Sequence, residues 1–509
     1  MSHLNLLSEP LLQVRCRGRR EGRTLPGVLA GLAQGEIEGF PHLAAWQEHA
    51  WYAFLVNLST IVLHAADEAR PCTDAERWAE ALRALTGGDD AWCLLVEDLS
   101  KPAFFQPPVP EGVLDRYKEP EPTPDTLDVL VTARNHDVKR APARRAAPEQ
   151  WAYALVTLQT MQGYSGRANY GIARMNGGLG NRPIVARLRS LALAARYRSD
   201  VVQLLKDREE IVESCGYADE GGHTLLWTLP WDGGADSGLG FGTLDPHFIE
   251  VCRRVRLVRA PTTLAWRMAP TDGARVDAGE TNGRTGDAWT PCKRGEEKAM
   301  SLSASGFTPE LMLALFFRNE YAPISAMEDK RGRWAYAASL VRGQGKTEGF
   351  HERLLLLPGG RTFGETDWLK HLAQRGETWL AREKQVRNQV LYPALSATLT
   401  APALHPSEAR LNRNDSRPRR WIAQFDAAVE RAFFDTLFAT SDLDEAAAAE
   451  TWTTWLRGQA RTQLESAFAC LGASGVRRRG AITVGEELFE GLYRKFILPP
   501  ENGASHVRS

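Results

Sequence analysis

Glycine and arginine are concentrated between residues 163 and 199, where the sequence carries seven arginines and no lysine, aspartate or glutamate. The first half reads Gly163-Tyr-Ser-Gly-Arg-Ala-Asn-Tyr-Gly-Ile-Ala-Arg-Met-Asn-Gly-Gly-Leu-Gly-Asn-Arg-Pro183. Glycine lets a backbone approach a partner closely, and arginine presents a charged fork that matches phosphates and base edges. This pattern favours a loop that binds a polyanion. The alternative is a surface hinge whose arginines are simply solvated.

A second glycine-rich segment, Arg342-Gly-Gln-Gly-Lys-Thr-Glu-Gly349, contains a Gly-Lys-Thr run. A phosphate-binding P-loop requires a glycine five residues before the Gly-Lys pair. Leu340 occupies that position, and no long helical pattern follows. The segment therefore predicts a polar turn after a strand, with Gln344, Lys346 and Thr347 exposed. An ATPase or helicase that uses Lys346 remains an alternative.

A basic run at residues 134–145 holds five basic side chains and one aspartate. Charge runs of this kind are usually solvated loops. The run also contains Asn135 and His136 and lies shortly before the glycine-arginine segment, which suits a shared binding surface. Both interpretations stay open on the residues alone.

The composition describes an ordinary globular chain of 509 residues with a formal net charge of −1. That length predicts two or three domains, and the near-neutral charge limits any nucleic-acid contact to local patches. The seven cysteines form no Cys-x-x-Cys pair, which indicates a reducing compartment. No secretory signal pattern or membrane-length apolar run is visible, so we expect a cytoplasmic protein with no membrane contact.

Motifs for catalysis and metal binding are missing from the sequence. The eleven histidines show no metal-ligand spacing, and no cysteine or serine stands in a nucleophile motif. Nothing in these residues promotes catalysis, and we expect no cofactor and no metal.

Periodicity predicts an α+β fold in which a large mixed N-terminal domain with long loops precedes an antiparallel four-helix bundle. Helical spacing occurs at 40–66, at 73–86 and after Pro148, and strand-like runs occur at 247–258, 262–268 and 334–341. Four amphipathic helical patterns separated by short links then imply a bundle; they cover residues 365–395, 418–440, 442–471 and 483–497. The expected domains are 1–362 and 363–498, with a tail at 499–509.

Several weak motifs in a fixed order resemble the CasA family, the large subunit of the type I-E CRISPR Cascade complex. The order, which ends with the four helical patterns of the C-terminal region, spans about 490 residues. The motifs are Asn5-Leu-Leu, Pro102-Ala-Phe-Phe-Gln106, Leu130-Val-Thr-Ala-Arg-Asn-His-Asp137, Asn176-Gly-Gly-Leu-Gly-Asn-Arg-Pro183, Trp289-Thr-Pro-Cys292 and Arg342-Gly-Gln-Gly-Lys-Thr-Glu-Gly349.

The resemblance implies a non-catalytic subunit that recognises the protospacer-adjacent motif in double-stranded DNA and starts strand separation and R-loop formation. Its partners would be the CRISPR RNA, the other Cascade subunits and a separately recruited nuclease-helicase. A purely structural scaffold is a further alternative.

The same resemblance assigns DNA-binding roles to individual residues. The glycine loop would approach the motif, and two arginines beside it would hold the DNA backbone. The turn near residue 345 would separate the DNA strands. A mobile loop at about 107–148 would contribute two further contacts. These residues are Gly177, Gly178, Gly180, Asn181, Arg174, Arg182, Gln344, Gly345, Lys346, Thr347, Asn135 and His136.

The chain departs from the family pattern in two places. No lysine occurs between residues 207 and 292, where the family carries a lysine finger, so Arg267, Arg275 or Lys293 would have to replace it. The zinc-binding cysteines of some members are also missing.

Overall fold

The computed structural model describes residues 4–128, 146–164, 166–176, 181–260, 264–343, 346–401, 416–472 and 475–498. The chain divides into two compact units. The first comprises Met1–Phe307 and Glu320–Gly364, and the second comprises Thr308–Asn319 and Glu365–Ser509. The predicted division near residue 362 did not include the short segment 308–319, which groups with the helical unit.

The first unit mixes helices with short strands, as its sequence pattern predicts. Its helices are α1 (Leu25–Gln34), α2 (Ala45–Ala65), α3 (Ala75–Thr86), α4 (Pro148–Met161) and α5 (Leu193–Cys215). Its strands are β1 (Leu12–Cys16), β2 (Arg19–Arg23), β3 (Ile37–Gly39), β4 (Ile184–Leu188), β5 (His223–Leu225), β6 (Leu239–Gly240), β7 (Leu244–Ile249), β8 (Arg254–Arg259), β9 (Leu264–Ala269), β10 (Val276–Asp277), β11 (Trp334–Gly343) and β12 (Lys346–Leu356).

The strands form small sheets rather than one large layer. A three-stranded antiparallel sheet has the order β12-β11-β4, and another has the order β2-β1-β3. The remaining strands pair two by two: β8 with β9 is antiparallel, whereas β5 with β7 and β6 with β10 are parallel. With so little sheet, much of the backbone in this unit needs side chains to satisfy its hydrogen bonds.

Aromatic side chains fill the centre of the first unit, where α2 packs against α4. The rings of Trp51 and Tyr153 lie 4.8 Å apart edge to face, and Phe105 stacks on Trp227 at 4.5 Å. All four side chains are buried. Each buried aromatic side chain contributes on the order of 2–3 kcal/mol, so this cluster supplies a rigid base for the loops around it.

The second unit is helical, and its four long helical rods confirm the predicted bundle. A short helix α6 (Pro309–Phe316) precedes α7 (Thr366–Gln385), which continues through a π-helical segment (Val386–Leu391) into α8 (Tyr392–Thr400). The other rods are α9 (Arg419–Ala439), α10 (Glu445–Ala469) and α11 (Gly475–Phe496). The last helix begins earlier than predicted. The arginines at 477–479 are good helix formers, so the helix continues through the glycine at 480.

Tryptophan rings hold this helical unit together. Trp452 stacks on Trp379 at 4.8 Å and on Trp455 at 5.0 Å, and its indole N–H donates to the Trp379 carbonyl at 3.1 Å. In the described residues, no helix combines the length and the apolar character that a membrane crossing requires.

Candidate nucleic-acid interface

Many of the predicted contact residues fall outside the described residues. These are Gly177, Gly178, Gly180, Asn135, His136, Gln344 and Gly345. Lys346 and Thr347 begin β12, for which the backbone at these two positions is described. The site is therefore built from the segments that flank the two loops, namely 166–176, 181–188 and the strands β11 and β12.

Asn181 and Arg182 hold the chain that leaves the glycine loop. The Asn181 amide donates to the Leu302 carbonyl at 2.9 Å, and its oxygen accepts from the Leu302 N–H at 3.0 Å and from the Ser339 hydroxyl at 3.1 Å. Arg182 forms a two-pronged pair with Asp287, with both N–O distances at 2.7 Å. Both side chains are buried, with 2% and 4% exposure. This end of the loop is fixed in place.

Arg174 holds the chain that enters the loop. Its guanidinium donates to the Phe248 carbonyl at 2.9 Å and to Glu250 at 3.3 Å, and it lies 3.8 Å from the centre of the Phe248 ring. Glu250 also accepts from the Ala173 N–H at 2.6 Å. One carboxylate thus ties down both a side chain and the backbone beside it, so this flank is fixed as well.

The strands that flank the two predicted loops belong to one sheet and share one of its ends. In the antiparallel pairing of β4 with β11, Leu188 faces Trp334 and Ile184 faces Ala338. The chain therefore comes out of the glycine loop into β4 at the end where β11 runs out towards residues 344–345. The Asn181–Ser339 hydrogen bond links the two segments there. Sequence spacing alone gave no sign of this link.

The segment with the Gly-Lys-Thr run is a β-hairpin. Val341 faces Gly349 and Arg342 faces Thr347, so one residue of β12 is extra and makes a bulge near the tip. Bulges of this kind increase local twist and re-aim the end of a hairpin. A P-loop needs a helix directly after the lysine, whereas Lys346 begins a strand. The segment therefore lacks the helix that the P-loop alternative requires.

The glycine-arginine segment is less cationic at its surface than its sequence suggests. Six of its seven arginines have a partner inside the first unit: Arg174 with Glu250, Arg182 with Asp287, Arg187 with the Met327 carbonyl, Arg189 with Asp329, Arg196 with Asp200, and Arg198 with the Leu32 carbonyl. Arg167 is exposed, and no partner is recorded for it within the described chain.

Arg174 and Arg182 are both buried and paired with carboxylates, which bears on their predicted role as clamps on the DNA backbone. A buried guanidinium that is already paired with a carboxylate is poorly placed to clamp a DNA phosphate, because it would have to leave both its partner and its site. Their contact with DNA stays a prediction from sequence. Their positions instead favour the holding of the loop flanks.

The carboxyl groups that anchor the two flanks, Asp287 and Glu250, have pKa shifts in opposite directions. Burial alone raises the pKa of the Asp287 carboxyl, but the adjoining charge and hydrogen bonds of Arg182 outweigh this effect and the pKa lies below its usual value. At Glu250 the burial outweighs the charge of Arg174, and the pKa lies above its usual value. Burial, followed by the charges of Arg182 and Arg196, lowers the pKa of His49 to about 3. His49 is therefore neutral near pH 7 and adds no charge here.

A groove runs along the entering flank of the loop. It encloses about 780 Å³ and is lined by residues 170–173 together with segments near 235–238 and 274–283. The Tyr164 and Tyr170 rings stand 6.0 Å apart at its side. Gly283, at φ +82°, passes so close that a Cβ there would lie 2.5 Å from the Met175 carbonyl carbon. Sequence reasoning missed these distant segments because nothing in their local pattern points to the loop.

The three candidates for the missing lysine are placed differently. The half-buried Arg267 donates to the carbonyls of Tyr117 and Lys118 at 2.8 Å, and Arg275 is buried. Lys293 is exposed, with its ammonium 3.2 Å from Glu296. Lys293 is therefore the most accessible of the three. Across the described residues, no cluster of His, Cys, Asp and Glu is arranged to hold a metal ion.

Solved structures share this architecture over nearly the whole chain. Thermus thermophilus CasA (Cse1) aligns with a TM-score of 0.60 and 17% identity, over 96% of this chain and 99% of that chain. Cse1 from Acidimicrobium ferrooxidans aligns with a TM-score of 0.61 and 16% identity, over 97% and 98%. The chain has the CasA fold. A chain of a CRISPR RNA-guided surveillance complex also aligns, with a TM-score of 0.60 and 10% identity, over 96% and 99%.

The likeness to CasA is visible in the fold and not in overall sequence similarity. No protein-family profile matches the chain, and no curated protein matches it by sequence. The CasA resemblance read from ordered short motifs, and the predicted α+β class with a helical bundle, are both confirmed by the shared fold.

Proposed function

We propose that this chain is the large subunit of a type I-E CRISPR RNA-guided complex, in which it recognises the protospacer-adjacent motif and opens the DNA duplex. The observation that carries the proposal is a shared sheet end: β4, which follows the glycine-loop segment, begins at the end of the sheet where β11 runs on towards its pairing with β12. The CasA fold over nearly all of the chain supports the assignment to this class of complex.

The glycine loop suits a groove-reading role because its flanks are rigid and its own residues are small. Minor-groove readout distinguishes few base pairs and depends on close approach. Since Asn181 and Arg182 are engaged inside the protein, direct contact would fall to residues 177–180. The exposed Arg167 on the entering flank is placed to neutralise a phosphate.

The hairpin suits the start of strand separation. A two-stranded ribbon built on a three-stranded sheet is stiff enough to enter a base step, and the polar residues 344–347 would stand at its tip. Guide RNA pairing would then take over the reading of sequence, as in other RNA-guided systems. The proposal also includes the other Cascade subunits, a separate nuclease-helicase as the source of cleavage, and a cytoplasmic location.

The glycine loop is tested by Gly178→Asp in the assembled complex. A carboxylate facing the duplex should weaken binding of matched target DNA about 10- to 100-fold, since loss of one good base contact costs about 1–3 kcal/mol. Gly458→Asp is the matched control, because Gly458 lies on an exposed face of α10 with open space around it. Equal binding by the two variants, measured by gel shift, would contradict the loop's role and favour a scaffold.

The hairpin is tested with Gln344→Ala plus Lys346→Ala and two forms of target DNA. Binding to the closed duplex should fall, whereas binding to a target opened in advance at the first guide-paired positions should be preserved. A loss on both substrates would point to a general contact and not to strand opening. Lys346-dependent ATP hydrolysis by the purified chain would contradict the non-catalytic assignment.

A further inference from the structure

A second cavity lies within the helical unit, and its lining residues are far in sequence from both predicted loops. It encloses about 890 Å³ and is lined by the π-helical segment, the start of α8, the start of α9 and the end of α11. Ile422 lies on its buried side with 7% exposure, and Phe496 is 38% exposed. Tyr392, Pro393 and Leu492 add further apolar surface. The cavity is therefore an apolar pocket that opens to solvent.

The shape of this pocket depends on a local irregularity in the long helix. Pro393 has no N–H, so the carbonyl of Gln389, four residues earlier, lacks its α-helical donor. The helix accommodates this by widening into the π-helical segment Val386–Leu391. That segment supplies Arg387, Asn388 and Gln389 to the pocket lining. Single π-helical turns inside α-helices occur frequently at functional sites.

Positive charge is in excess around the opening. The lining contains three cationic side chains against one carboxylate, Asp426, which pairs with Arg387 at 2.8 Å. Arg419 and Lys495 are exposed and have no carboxylate partner among the described residues. The Lys495 ammonium lies 5.1 Å from the centre of the Phe496 ring. Among the described residues, two cations of the pocket lining thus lack a carboxylate partner, and one of them lies beside an exposed aromatic ring.

We propose that this pocket binds an acidic peptide segment of a partner protein. An aromatic or leucine side chain of the segment would fill the cavity against Ile422, Tyr392 and Leu492, and flanking carboxylates would pair with Arg419 and Lys495. Apolar anchors in a groove with complementary charges at the rim are a common mode of peptide recognition. A nucleic acid fits less well, because the cavity beneath the cations is lined by apolar side chains that suit an inserted aromatic or leucine side chain.

The test measures binding of the full 509-residue chain to a fluorescently labelled peptide of Glu, Asp, Leu and one Phe. We expect saturable binding that is lost when the acidic residues of the peptide are replaced by Lys. Arg419→Glu plus Lys495→Glu should weaken binding by on the order of tenfold or more, since rim charges set complementarity. Ala423→Trp should weaken it through occupation of the cavity by the new ring.

Two neighbouring substitutions serve as matched controls. Arg494→Glu makes the same charge change one position before Lys495, and Gln424→Trp adds the same ring one position after Ala423; neither residue lines the pocket. Both should leave peptide binding unchanged, and far-UV circular dichroism checks that each variant is folded. Equal loss in the controls, or no preference for the acidic peptide, would overturn the proposal. Displacement of the peptide by an oligo-dT strand would assign the surface to nucleic acid instead.

Discussion

The flanks of the glycine loop are held by buried charged side chains, whereas the helical unit is held by stacked tryptophans. Among the described residues of the first unit, the side chains of both partners are buried in the ion pairs Arg174–Glu250, Arg182–Asp287 and Arg208–Asp245. In the helical unit the centre is the Trp379–Trp452–Trp455 stack. Backbone outside helices and sheets leaves many of its polar groups without backbone partners, and arginine side chains can hydrogen-bond to them. Regular helices pair their own backbone groups, so they need only complementary apolar faces in order to pack.

The difference has a consequence for what each region can hold in place. Apolar packing stabilises without fixing one arrangement, because many hydrophobic residues of similar volume fit. A two-pronged Arg–carboxylate pair has strict geometry. In the first unit, ion pairs therefore fix the positions of the loop ends. In the helical unit, the burial of aromatic rings supplies stability.

The largest effect is expected for Trp452→Ala in the helical unit. The change removes a buried ring and its stack with Trp379 and should lower the free energy of unfolding by about 4–5 kcal/mol. Urea unfolding followed by far-UV circular dichroism measures it. Trp455→Ala is the control, because Trp455 is only half-buried and should cost less. A loss below that of the control would mean that the stack is not the centre of this unit.

Arg182→Met should have the next largest effect, because it leaves the Asp287 carboxylate buried without its partner. We expect a loss of about 3–4 kcal/mol, with faster hydrogen exchange at the β4 amides. The double variant Arg182→Met plus Asp287→Leu should regain much of the stability while the loop ends lose their fixed position. If the double variant were as unstable as the single one, the ion pair would not be the cause.

Glu383 gives the helical unit a pH-dependent stability. Burial, followed by the nearby charge of Asp426, raises the pKa of Glu383 to about 7. Because this pKa is above its unfolded value, the folded state holds an extra proton between about pH 4.5 and 7. Stability should therefore fall as the pH rises through that window, by on the order of 2 kcal/mol, and level off above it.

Urea titrations at several pH values between 5 and 8 check this contribution. Glu383→Gln should remove this part of the pH dependence, and its advantage over the wild type should be largest at pH 8. Glu377→Gln, at an exposed position on the same helix, is the control. An unchanged pH profile in Glu383→Gln would assign the dependence to another group.

The smallest effect on stability is expected for Arg167→Ala. This exposed side chain lacks a recorded partner in the described chain, so the free energy of unfolding should change by less than about 0.5 kcal/mol. If Arg167 contacts a phosphate, the slope of log affinity against log salt should flatten by about one. Lys370→Ala, an exposed cation in the helical unit, should change neither quantity. A large stability loss in Arg167→Ala would place it with the buried arginines.

Much of the fold could be predicted from the sequence, because helical and strand periodicity is local. The bundle rods and the strands near residues 247–268 and 334–341 follow the apolar spacing that the chain displays. The lack of a P-loop at residues 342–349 could also be inferred, since Leu340 stands where a P-loop requires glycine. The returning strand β12 was not predicted.

The state of the arginines could not be inferred in the same way. The segment 163–199 contains no acidic residue, which suggested free positive charge. Asp200, the partner of Arg196, lies just past the segment. The other three neutralising carboxylates come from far along the chain: Glu250 lies 76 residues from Arg174, Asp287 lies 105 residues from Arg182, and Asp329 lies 140 residues from Arg189. Charge is visible in a sequence, whereas burial and long-range pairing depend on the folded topology.

The anchoring of Asn181, Arg182 and Arg174 also bears on how this chain could diverge. Since the ends of the glycine loop are fixed by contacts that involve none of residues 177–180, those four positions can accumulate substitutions without disturbing the core. A library randomised at the four positions should therefore yield mostly folded proteins, and most of them should bind the target less well.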